Sequence, residues 1–241
     1  MIHNLWGAPW LTIAVLGGFG LDWFAVGLNW KKLKLIAKPL AMVLVILWTL
    51  NAASWQLDLA VRLLLVAQVF GLAGDVFLMF SQRWFLFGLA AFLVGHLFYI
   101  SLMTISLINW MVSLDEISLP SLQIFLSLAI YGIILVVFYR VFKPLKDAAS
   151  QQHKLWLAVQ LYGWVLAGLV ALGILFFLIQ EPLLWGYTIL PIGAFLFLVS
   201  DFLLAYDRFI SSVKYGQLLV HVTYHLAQFS LAIGFVASII G

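Results

Sequence analysis

Gly71 to Tyr99 reads GLAGDVFLMFSQRWFLFGLAAFLVGHLFY, and the fold is decided by how this stretch is read. Two apolar runs are separated by one strongly polar break, Ser81-Gln82-Arg83. Asp75 lies near the end of the first run, and His96 and Tyr99 lie inside the second. Each run is long enough for a helix to cross a bilayer, which takes about 20 apolar residues. An ionisable group carried into such a helix is expensive, roughly 2.5–3.5 kcal/mol at the centre by insertion scales, so it reads first as functional.

The rest of the chain repeats the pattern. Of 241 residues, 66% are hydrophobic and 9% charged, and mean hydropathy is +1.15; a soluble domain carries about 25% charged residues. Eleven tryptophans and eight tyrosines suit interfacial belts. With no cysteine, disulfide and thiolate chemistry are excluded. The basic residues sit in short loops, not in a continuous patch with exposed aromatics, so no nucleic-acid partner is expected. The opening MIHNLWG holds no Lys or Arg and lacks the basic start of a secretory signal, so the first apolar run is expected to be retained as a span.

Eight spans are predicted, at approximately 8–28, 36–53, 60–80, 84–106, 121–142, 156–179, 184–206 and 215–240. All connections are short. The expected fold is therefore all-α: a polytopic membrane helix bundle forming one integral membrane domain over residues 1–241, because only helices satisfy the backbone at these lengths. Of the 12 Lys and Arg, all but Arg62 fall on the side of the odd-to-even connections. These are Lys31, Lys32, Lys34 and Lys38; Arg83; Arg140, Lys143, Lys146 and Lys154; and Arg208 and Lys214. The opposite side carries Asp58, Asp115, Glu116 and Glu181. The positive-inside rule then places the basic side in the cytoplasm and both termini outside it, with a bacterial inner membrane as the expected location.

That orientation gathers the buried polar groups. Asp22, Asp75 and Asp201 lie about five to seven residues before the basic end of their spans, roughly 8–10 Å deep at about 1.5 Å per residue. Lys38 stands at the entrance of span two, with His221, Tyr224 and His225 a turn or two deeper in span eight. His96 lies nearer the midplane. One site opening to the cytoplasm accounts for this clustering. There is also an echo: Gly74-Asp75 is followed on the next helix by His96-x-x-Tyr99, and Ser200-Asp201 by His221-x-x-Tyr224. If it is more than chance in so apolar a chain, it describes a 4+4 parallel internal repeat with two Asp/His/Tyr sets facing one cavity.

Asp75 and Asp201 are the leading chemical candidates. Two carboxyls in a low-dielectric site resist being charged together, so such a pair can supply an acid and a base. The structural alternative is a pair of capping or interhelical hydrogen-bonding acids. His221 and His225, four apart, share a helical face with Tyr224 and Gln228. That spacing can bind zinc, but without a neighbouring glutamate it favours a hydrogen-bonding face, and no metal or cofactor is called for. Lys38 could meet a lipid phosphate or snorkel as a flanking lysine. Asp22, beside Trp23, could join the acids or mark an interfacial end. Tyr162 and Gln160 are undecided. Gly-x-Ser-x-Gly, phosphate-loop and His-Glu-x-x-His patterns are absent.

The chain resembles the YhhN-like lysoplasmalogenases, a family of polytopic membrane proteins. The residues that carry the resemblance are Lys38-Pro39, Leu72-Ala-Gly-Asp75, Gly95-His-Leu-Phe-Tyr99, Ser200-Asp201 and Tyr224-His-Leu-Ala-Gln228, in order along nearly the whole chain. The resemblance implies hydrolysis of the vinyl ether bond of a lysoplasmalogen to a fatty aldehyde and glycerophosphoethanolamine or glycerophosphocholine. For that reaction one of Asp75 and Asp201 is expected to protonate the alkene carbon and the other to stabilise the cation and orient water, in either assignment, with His96, Tyr99, His221 and Tyr224 holding them, and Lys38, Asp22, Ser200, His225 and Gln228 are the expected substrate contacts. The partners implied are the lysophospholipid substrate and the lipid bilayer. Two rival expectations stay open: a zinc-dependent intramembrane lipid hydrolase and a proton-coupled transporter of a small or lipidic solute.

Overall fold

A computed structural model describes residues 9–80, 82–112, 121–147, 150–179 and 185–240. Asp115, Glu116 and Glu181, the side chain of Lys154 and the N-terminal MIHNLWG lie outside the described residues. The described chain forms eight helices: α1 (Pro9–Gly27), α2 (Lys31–Ala52), α3 (Leu59–Met79), α4 (Phe85–Val112), α5 (Ser121–Asp147), α6 (Ser150–Ile179), α7 (Trp185–Phe209) and α8 (Gly216–Phe235). A 3-10 turn, Gln82–Trp84, precedes α4, and a π-helical turn, Val236–Ile240, continues α8. No strand occurs among the described residues. Each of the eight helices is long and apolar enough to cross a membrane, so the protein is an integral membrane protein with the predicted all-α layout. On the far side α4 runs on to Val112, past its expected end, and on the basic side α2 begins at Lys31, α5 continues to Asp147 and α6 begins at Ser150. Lysines and glutamines extend these helices past the apolar core because they are good helix formers in water as well.

Helices that are apolar all round must choose their inner faces by packing. α8 is the most enclosed of the eight and α5 the most exposed. Small residues let α8 settle at the centre. A Cβ added at Gly193 of α7 would stand 2.9 Å from the Leu231 amide nitrogen of α8, so the two backbones approach closely. Gly95 does the same between α4 and α3, where a Cβ would lie 3.0 Å from the Ala67 carbonyl. Asp58, on the side opposite the lysines, caps α3 by accepting the Val61 amide at 2.8 Å, which closes one of the open amides of that helix end.

The connections α1–α2, α3–α4 and α7–α8 share one end of the bundle. The Lys34 ammonium of α2 donates to Gln217 Oε1 of α8 at 3.3 Å, Phe85 packs edge-on against Phe209 at 5.6 Å, and the Arg208 guanidinium covers the Phe85 ring at 5.0 Å. Lys31, Lys32, Arg83, Arg208 and Lys214 are exposed there. Asp22, Lys38, Asp75, Asp201, His221 and His225 lie on helix turns nearer this end, and His96, Tyr99 and Gln228 on turns closer to the middle of their helices.

Candidate active site

Three polar centres occupy that half. The first is an ion pair between α2 and α3, with the Lys38 ammonium 2.9 Å from Asp75 Oδ1. Lys38 is 6% exposed and Asp75 is fully buried. The lysine expected at the rim is instead an internal counterion. Tyr224 of α8 donates its hydroxyl to the other carboxylate oxygen, Oδ2, at 2.9 Å, and the ammonium lies 5.4 Å from the centre of the Tyr224 ring. The network continues inward. Gln228 Nε2 donates to Tyr224 Oη at 3.3 Å, and Tyr99 donates to Gln228 Oε1 at 2.6 Å. Gly71 makes room for it: a Cβ there would come within 2.6 Å of Gln228 Nε2 and 3.3 Å of Tyr224 Oη.

The second centre surrounds Asp201 on α7. Tyr162 of α6 donates its hydroxyl to Asp201 Oδ2, and His96 Nε2 lies 3.9 Å from the same oxygen. Tyr162 Oη is also 3.4 Å from His96 Nδ1. No lysine or arginine approaches Asp201 within ion-pair distance among the described residues. Phe197 joins the first two centres, its ring edge-on to both His96 (4.3 Å) and Tyr224 (5.5 Å). One turn later, Ser200 ties α7 to α8 by donating to the Val220 carbonyl at 3.1 Å.

The third centre joins α1 to α8. His221 Nδ1 lies 2.6 Å from Asp22 Oδ2. His225 Nδ1 accepts the Trp23 indole N–H at 3.1 Å, so a neutral His225 carries its proton on Nε2. Its ring stacks on Phe19 with centroids 4.7 Å apart. Asp22 Oδ1, His96 Nε2 and His225 Nε2 are buried with no hydrogen-bond partner among the described residues. No group of three or more His, Asp or Glu is arranged to hold a metal ion among those residues.

The two sequence echoes therefore exchange partners. Asp75 of the first binds Tyr224 of the second, and Asp201 of the second lies near His96 of the first. His221 turns away from Asp201 to Asp22, and Tyr99 reaches Asp75 only through Gln228 and Tyr224. Asp22, which its neighbour Trp23 made look interfacial, is fully buried, and the indole itself points inward to His225. Tyr162 is the important addition. It sits on an all-round apolar helix whose pattern marks no inner face, and the nearby Gln160, which donates to the Phe138 carbonyl at 3.3 Å, gave no better signal.

Two spaces meet at this assembly. A cavity of ≈ 200 Å³ between α2, α3, α7 and α8 is lined by five charged or polar residues, Lys34, Lys38, Asp207, Gln217 and His221, and by five apolar ones, Leu35, Leu78, Met79, Leu204 and Val220. A closed, almost wholly apolar slot of ≈ 10 Å³ between α4, α5, α6 and α7 contains Asp201 and Tyr162 among Phe85, Phe138 and Phe209, and it too is lined by Leu204. A polar end and an apolar passage thus share one wall, with a carboxylic acid in the passage and the Asp75 counterion on the cavity side.

No solved structure matches the chain. Two relatives do, both named lysoplasmalogenase TMEM86A. The Bos taurus protein is 29% identical over 178 residues, 72% of this chain and 65% of its own length. The Homo sapiens protein is 28% identical over 176 residues, with the same coverage of each chain. The match thus spans about two thirds of the length of these relatives. Residues 33–235, from the first turn of α2 to the end of α8 and so including every centre described except Phe19, Asp22 and Trp23 of α1, match the profile of the YhhN family, and the chain belongs to that family.

Proposed function

We propose that the protein is a membrane-embedded lysoplasmalogenase, a hydrolase that cleaves the vinyl ether bond of a lysoplasmalogen to a fatty aldehyde and glycerophosphoethanolamine or glycerophosphocholine. The observation that carries this reading is the shared Leu204 wall between a cavity lined on part of its surface by charged side chains and a closed apolar slot, which opens from ≈ 10 Å³ when a chain enters it. A single-chain lipid has the same division, and its reactive bond lies where head and chain join. Family membership and the names of the two relatives support the same reading.

The chemistry needs one proton and one water. Protonation of the alkene carbon forms the new C–H bond and leaves an oxocarbenium ion; water adds to that cation and loses a proton; the hemiacetal then breaks its C–O bond to give the aldehyde and the glycerol hydroxyl. In this proposal Asp201 is the acid. Its Oδ2 is held by Tyr162, Oδ1 delivers the proton, and the resulting carboxylate recovers one from the water. Asp75, with each oxygen already bonded, is the fixed anion that faces the cation and orients the water. His96 and Phe197 keep the two acids in register.

Purified Asp201→Asn is expected to lose about 10²–10⁴-fold in aldehyde release, the usual contribution of a positioned acid. A folded variant with a near-normal rate removes Asp201 from the mechanism. The ester lysophospholipid of the same head and chain length is expected to give no aldehyde. We read the chain as one domain, with its basic end in the cytoplasm, its termini outside and the site in the cytoplasmic half of a bacterial inner membrane. Because the chain has no cysteine, single cysteines at Lys214 and Trp55 test the orientation: an impermeant thiol reagent on intact cells should label only position 55.

A further inference from the structure

We propose that the ≈ 200 Å³ cavity between α2, α3, α7 and α8 is a headgroup subsite that selects zwitterionic over anionic heads, with Asp207 as the residue that sets the preference. The proposal rests on the lysoplasmalogenase reading and extends it. Its basis is the placement of opposite charges around one cavity.

The anion-binding wall is made by α2 and α8. Lys34 lines the cavity and is held there by Gln217, whose Oε1 accepts its ammonium proton at 3.3 Å. His221 also lines the cavity. Asp22, at 2.6 Å from Nδ1, accepts the Nδ1 proton, so a neutral imidazole presents Nε2 to the cavity as an acceptor. Lys38, the other cation at this wall, is already neutralised by Asp75. Lys34 is therefore the cation available to a phosphodiester.

Asp207 lines the same cavity from the end of α7. Its Oδ1 accepts the Val213 amide of the α7–α8 turn at 2.7 Å, and no Lys, Arg or His lies within ion-pair distance of its carboxylate among the described residues. An acidic group on a cavity wall without a cation suits an ammonium carried by the ligand. A head with a phosphate and an amine has partners for both charges here. A phosphoglycerol head has one partner and meets Asp207 with a net negative charge.

The test uses the full-length protein and lysoplasmalogens with ethanolamine, choline or glycerol heads, scored by aldehyde release. For the wild type we expect kcat/KM to favour ethanolamine over glycerol by about tenfold, the effect of one well-placed charge pair. Asp207→Asn keeps the Oδ1 acceptor for Val213 and should bring that ratio to about one through KM, and Asp207→Lys should reverse it. Lys34→Gln should raise KM for all three heads and leave their ratio in place. A wild-type ratio retained by Asp207→Asn overturns the proposal. If the wild type releases no aldehyde from any head, it is the reaction that fails, and the subsite is then judged by the binding of saturated alkyl lysophospholipids with the same heads. A preference for ethanolamine over glycerol that Asp207→Asn abolishes upholds the subsite, and equal affinities in the wild type overturn it.

Discussion

Replacing Lys38 by methionine should be among the most destabilising single changes in the bundle, more so than replacing its partner. At 2.9 Å two unit charges attract by about 6 kcal/mol at an effective dielectric of about 20, but most of this offsets the desolvation of both groups. What a substitution reveals is the cost of the charge left behind, about 3–5 kcal/mol for a buried pair broken from one side. The two partners are not equivalent. Asp75 is fully buried and cannot reach water when Lys38 is gone. Lys38 lines the charged cavity, so in Asp75→Asn the ammonium can swing toward solvent. The expected order of loss is Lys38→Met, about 3–5 kcal/mol, then Asp75→Asn, about half of that, with the double variant Lys38→Met/Asp75→Asn recovering most of the stability. For a chain of this size about 2–4 °C accompanies each kcal/mol, so thermal unfolding in detergent, followed by tryptophan fluorescence, should show Lys38→Met melting about 6–20 °C below wild type. If the double variant is no more stable than Lys38→Met, the two charges do not compensate each other, and the account of the first centre fails.

Other outcomes follow from individual contacts. Gly71→Ala should displace Gln228 and break the link from Tyr99 to Tyr224, losing about 1–3 kcal/mol, whereas Gly17→Ala and Gly132→Ala, whose added Cβ meets nothing within 4 Å, should be neutral or stabilising by up to about 1 kcal/mol; the same unfolding assay separates them. Tyr162→Phe removes the hydroxyl bonded to Asp201 and should lower aldehyde release at least about tenfold while changing stability by only about 1 kcal/mol. His221→Gln leaves Asp22 without the imidazole at 2.6 Å and should destabilise by about 1–3 kcal/mol, an effect that Asp22→Asn should relieve in the double variant.

The eight helices were legible because the bilayer imposes a length, and runs such as 60–80 and 84–106 satisfy it without reference to anything else in the chain. The collection of acids and histidines at one end was legible for a related reason: Lys and Arg distribution fixes direction, and direction fixes depth. Partnership was not legible. Whether Asp75 meets Lys38, Asp201 or His96 depends on the rotation of each helix about its axis, which small residues such as Gly71 and Gly95 set by allowing one close approach and not another. Tyr162 shows the limit most clearly, since a helix apolar on every side gives no periodic signal to mark its inner face. The echo of Asp75 and His96 in Asp201 and His221 drew attention to the residues that make the site, but each copy gives its side chains to the other's acid.

Leu204 carries a consequence of its own. If the head is anchored between Lys34 and Asp207 and the chain passes Leu204 to open the slot of Asp201, the bond that meets the acid is chosen by counting atoms from the phosphate, with the leucine as the mark on the ruler. Such a protein measures from the head and not from the tail. Its rate should then change little as methylenes are added at the far end of the chain and fall sharply when a single carbon is inserted between the phosphate and the ether oxygen.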